Sequence, residues 1–159
     1  MADNQYINIM LQSLQKKLKV LDNIIQINKR QKEELENPSL DPDDFDKTVE
    51  EKSELIEQLE LLDNGFEKLY EKVREELQAN KEEYKDEIFQ MQNDIRLLTE
   101  KSMEIQTQEA RNKQLMEQKF ANVKKQVKEI RSSQKVVNQY YKNMMKKGYA
   151  EPQFLDNKK

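Results

Sequence analysis

One spacing runs through most of this chain: apolar residues recur at alternating intervals of four and three. In the first stretch they are Ile7, Leu11, Leu14, Leu18, Leu21 and Ile25. That interval keeps every member on one side of an α-helix, and over several heptads it forms the seam of a coiled coil or bundle. Met10 and Ile24 widen the stripe, so this helix is expected to touch more than one neighbour. Asn28 and Lys32 hold seam positions before Leu35 resumes the pattern. A polar Asn at a seam position often fixes register at some cost in stability.

The first break is Asn37-Pro38-Ser39-Leu40-Asp41-Pro42. Two prolines four residues apart cannot lie inside one helix, because each lacks an N–H and restricts the residue before it. Asp41 fits an N-cap with Pro42 at the first helical position. Asp43, Asp44 and Asp46 crowd the first turn, where the helix dipole favours negative charge. The second seam follows: Phe45, Val49, Ile56, Leu59, Phe66, Tyr70, Val73 and Leu77, with Lys52 and Asp63 as polar interruptions. Gly65 reads as an internal weak point of this helix, since the seam resumes in phase at Phe66.

Between Gly65 and Gly148 there are 82 residues without Gly or Pro. As one helix they would span roughly 120 Å, so a compact bundle needs a reversal. The best place is Gln78-Ala79-Asn80-Lys81-Glu82-Glu83, where apolar residues lapse and the seam shifts phase. Tyr84, Ile88, Met91, Ile95 and Leu98 form the next seam. It then decays: Ser102, Glu109 and Asn112 stand where apolar residues should, and Ile105 alone holds. A further seam follows through Met116, Phe120, Val123, Val127, Ile130, Val137, Tyr141 and Met144, with Gln134 as its polar member.

The expected fold is all-α: a long antiparallel helical hairpin or three-helix bundle with an extended C-terminal helix. The helices are placed at about residues 4–36, 42–78 and 81–115. A C-terminal helical arm, 116–147, is read as continuous with the third helix, and 148–159 as a flexible tail. The third segment is nearly twice as long as the others, so its second half has no partner in the chain unless it bends back near 99–113. A helix carrying a full seam buries it somewhere, because lone helices of this length are marginal in water. Self-association, folding back and capture of a client helix are the three ways to do so. The eight seam residues of the arm are therefore the candidate partner-binding site.

Composition supports long, narrowly amphipathic helices: 35% of residues are hydrophobic and 37% charged. Net charge is −3, which argues against bulk attraction to nucleic acid. With no His and no Cys, the usual zinc sites, thiol chemistry and imidazole catalysis are excluded. No Gly-rich phosphate loop occurs, and Glu33-Glu34 and Glu82-Glu83 read as solvated faces. An enzyme, a metal site and a cofactor are not expected. Nor is a membrane span, and the cytoplasm is the expected location. Residues 41–63 hold ten acidic and two basic side chains, and residues 119–147 nine basic and one acidic. Two solvated faces are one reading; mutual attraction, or electrostatic choice of an acidic client helix, is the other.

Two stretches resemble the flagellar type III export chaperones of the FlgN kind. One is Glu51-Lys52-Ser53-Glu54-Leu55-Ile56-Glu57-Gln58-Leu59 with Leu62-Asp63-Asn64-Gly65-Phe66. The other is Ile105-Gln106-Thr107-Gln108-Glu109-Ala110-Arg111-Asn112-Lys113. The order of segments and the tail Phe154-Leu155-Asp156-Asn157-Lys158-Lys159 are similar too. The resemblance implies a cytoplasmic chaperone that holds flagellar hook-associated (hook–filament junction) subunits before export and prevents premature assembly. It implies that the C-terminal helical region binds those clients; the export apparatus and, through self-association of the arm, a homodimer are further candidate partners. The basic bias of the arm has no counterpart in the resemblance. The alternative reading is a structural coiled-coil dimer without a client.

Overall fold

A computed structural model of the chain describes residues 2–121, with side chains from residue 5. Three helices fill this stretch: α1, Ala2–Glu36; α2, Pro42–Ala79; α3, Lys85–Lys119. No strand occurs among the described residues, so the all-α expectation holds.

The first turn is built as its residues dictate. Asn37 Oδ1 accepts from the Ser39 N–H at 2.9 Å, closing a short turn on itself. Asp41 caps α2 by accepting from the Asp43 N–H at 3.0 Å, and Pro42 follows it at the helix start. Asp43 and Asp44 lie in the first turn, beside the positive end of the dipole. The second reversal falls at residues 80–84. There the Asn80 N–H and its side-chain Nδ2 both donate to the Glu76 carbonyl, each at 3.1 Å. Asn80 has φ −126°, so the helix ends there without a left-handed residue or a glycine at the cap. Buried Tyr84 plugs it, its hydroxyl 3.2 Å from the Glu76 carboxylate. The third helix consequently begins at Lys85, four residues later than the spacing predicts.

Helix α1 packs against both others. Its buried positions form two seams that share Leu14, Leu21, Asn28 and Leu35: one adds Ile7, Leu18 and Ile25, the other Met10, Lys17, Ile24 and Gln31. The hydrogen bonds fix the directions. Between α1 and α3 they join residues 79 to 84 apart along the whole length, as in Gln15–Asp94 and Asn28–Asn112, so those helices run parallel. Between α1 and α2 the separation shrinks from 46 at Lys17–Asp63 to 17 at Gln31–Thr48, so that pair runs antiparallel.

Most of the apolar core lies in one cluster from Ile7, Leu77 and Tyr84 at one end to Ile25, Ile56 and Ile105. Asp63, the second polar interruption of α2, pairs with buried Lys17 of α1. Gly65 lies within α2 without breaking it, and a Cβ there would meet nothing within 4 Å. Replacing Gly65 with Ala should therefore stabilise the bundle by about 0.5–1 kcal/mol. A higher urea midpoint with an unchanged slope is the expected result.

Candidate functional site

Towards the end of the bundle that holds the first turn, the apolar core is interrupted on all three helices at one level. Asn28 and Gln31 of α1, Thr48 and Lys52 of α2, and Gln108, Glu109 and Asn112 of α3 are all buried there. Lys52 is the hub. Its ammonium donates to Asn28 Oδ1 and Gln31 Oε1, both at 2.9 Å, and to Glu109 Oε1 at 2.8 Å. Three donors meet three acceptors, which is the full capacity of a lysine.

The amides of the layer are used as well. Gln31 Nε2 donates to Thr48 Oγ1 at 2.9 Å, and that hydroxyl donates to the Phe45 carbonyl at 2.6 Å. Asn28 Nδ2 donates to Gln108 Oε1 at 3.1 Å, and Asn112 Nδ2 to the Asn28 carbonyl at 2.9 Å. Burial holds the Lys52 ammonium below the usual lysine range, while the charge and hydrogen bond of Glu109 pull it back up. Glu34 is pushed up by partial burial against the pull of Arg30, with Asp44 and Glu51 adding to the rise. Beside the layer an open groove of about 550 Å³ runs between α1 and α3, lined by Lys29, Lys32, Glu33, Glu104 and Arg111 among others.

Beyond the layer sits a second, smaller apolar cluster: Leu35, Phe45, Val49, Met116 and Phe120, with Leu40 and Leu115 against it. The Phe45 and Phe120 rings lie 6.0 Å apart and tilted by 52°, a favourable aromatic geometry. Helix α3 ends here: the Phe120 N–H closes on the Met116 carbonyl at 2.9 Å, and Lys119 Nζ reaches the Asn37 carbonyl.

These positions correct the sequence reading in two respects. Met116 and Phe120, expected to open the partner-binding arm, are 1% and 3% exposed inside the bundle. The reason is length matching. α1 ends at Glu36, and its parallel partner, offset by 82 to 84 residues at this end, runs to about Lys119 to meet it. The third bundle helix therefore closes near residue 120 and not at 115. Through 99–113, where the sequence leaves a bend open, α3 is continuous, and Ser102, Glu109 and Asn112, the polar residues at its seam positions, are buried. Val123, Val127, Ile130, Val137, Tyr141 and Met144 lie outside the described residues, as do the rest of the arm beyond residue 121 and the tail.

What fold and layer define is a three-helix bundle with a buried, charge-centred polar layer near one end. Comparison with protein-family models, curated proteins and solved structures finds no match to this chain. Among the described residues no helix is long and apolar enough to cross a membrane, and no group of three or more acidic side chains could hold a metal ion.

Removing one partner of a buried ion pair strands the other, at a cost of about 3–5 kcal/mol, whereas replacing both with apolar groups is often neutral or better. Lys52→Met alone should therefore lower stability by about that amount, and Lys52→Met with Glu109→Leu should recover only the part due to the stranded carboxylate in chemical denaturation, because Asn28 Oδ1 and Gln31 Oε1 still lose their donor. The sign of the pH effect follows from the lowered lysine pKa. Unfolded Lys52 keeps its proton up to about 10.5, while the folded group gives it up earlier. Between those values the unfolded state binds more protons, so stability rises with pH. Relative to the double variant, the natural protein should gain stability as pH rises through that window to about 10.5, read by denaturation at stepped pH.

Proposed function

We propose that this protein is a helix-binding chaperone that holds the terminal helices of flagellar hook-associated subunits until export, using the seam from Val123 to Met144. The resemblance of residues 51–66 and 105–113 to FlgN-type export chaperones supports the client class. One physical observation carries the binding mode. Helices of 35, 38 and 35 residues already cover one another's seams as far as Phe120. The four–three pattern nevertheless continues through Val123, Val127, Ile130, Val137, Tyr141 and Met144. A seam in excess of what a matched bundle uses is the feature a helix-capturing protein needs, since an amphipathic client helix supplies the missing face. The basic excess of the segment adds selectivity for clients with acidic flanks.

A chain ending after Ala121 keeps both apolar clusters and should fold with an unchanged melting temperature. It should fail to retain purified hook-associated subunits on a pull-down resin. In the full chain, Ile130→Asp should weaken retention at least ~10-fold, as expected for a central anchor. Equal retention by the truncated chain would remove the segment from the binding site. A tight dimer in light scattering that hook-associated subunits leave unchanged would favour the structural coiled-coil reading.

A further inference from the structure

We infer that the end of the bundle beyond the Lys52 layer opens as a unit of its own, while the larger core stays closed. Among the described residues the two apolar clusters share no member: five buried residues lie on one side of the layer and nineteen on the other. Between them stand mainly hydrogen-bonding side chains, centred on Lys52, Glu109, Asn28 and Gln31, with Ile27 the one described buried apolar residue that joins neither cluster. A bundle parting at an apolar level bares hydrocarbon on both faces. One parting here bares amides and an ion pair that water solvates, so the layer is where separation costs least. The small cluster also closes on three helix ends: the last turn of α1, the start of α2 and the end of α3. Helix ends and small clusters occupy the low-stability end of native-state opening.

The opening frees Met116 and Phe120, which stand seven and three residues before Val123 in the same four–three pattern. It would lengthen the client-binding seam by two positions. That use rests on the proposed function; the opening itself does not.

Native-state hydrogen exchange on the full chain tests it. In the natural protein, amides at 45–50 and 113–118 should exchange ~100-fold or more faster than those at 18–25 and 91–98. Ile95→Ala, in the large cluster, should speed exchange at 18–25 and 91–98 by at least ~25-fold and leave 45–50 and 113–118 unchanged. Should that variant fail to fold, Ile95→Val should show the same split, with an increase of roughly 2- to 10-fold. Uniform protection in the natural chain, or equal acceleration on both sides of the layer, would overturn the inference. Loss of the exchange split overturns the opening alone; capture of hook-associated subunits by the truncated chain overturns the binding reading alone.

Discussion

The buried Lys52 ammonium, held by Asn28, Gln31 and Glu109, ties the three helices together at one level. A buried charge tolerates little error, because every lost partner leaves a desolvated group behind. Heptad seams alone are forgiving: sliding one helix by seven residues puts apolar against apolar again. The layer removes that freedom. Shifting α3 by one heptad would replace Glu109 opposite Lys52 with Ser102 or Met116, neither of which offers a carboxylate. Four polar residues scattered in three otherwise ordinary seams thus select one register, the role best attested for polar groups in helical cores.

Register in turn sets the ends. With α1 and α3 parallel, and offset by 82 to 84 residues at this end, the end of α1 at Glu36 fixes the end of α3 near Lys119. The first turn, stiffened by two prolines and capped by Asp41, closes on the same end through Phe45 and Phe120. The small apolar cluster follows from that matching. It is the part of the core that lies between the charged layer and the turn.

The sequence made the architecture legible where one residue type has one strong consequence. Pro38 and Pro42 announce the first turn, and Asp41 its cap. Met10 and Ile24 beside the main stripe announce that α1 serves two neighbours. The second turn was legible only as a gap in the seam, because Asn80 turns the chain at negative φ and no Gly or Pro marks the place. The layer was least legible. Lys52, Asn28, Glu109 and Asn112 each look like a flaw when a helix is read alone, and only the alignment of three helices makes them partners. The same limit misplaced Met116 and Phe120: a single continuous seam does not show which of its members the bundle claims and which it leaves.

That division of one seam between bundle and remainder has a thermodynamic consequence. Met116 and Phe120 belong at once to the small cluster and to a four–three pattern that runs on to Met144. Any helix that pairs with the later members and also recruits these two must first displace Phe45, Val49 and Leu35 from them. Binding energy beyond Phe120 is then linked to the closure of the cluster. A partner that prefers the open end shifts the population towards it, and closure weakens that partner by the same factor. Because the charged layer keeps the large core out of this exchange, the bundle can release its end and keep its fold.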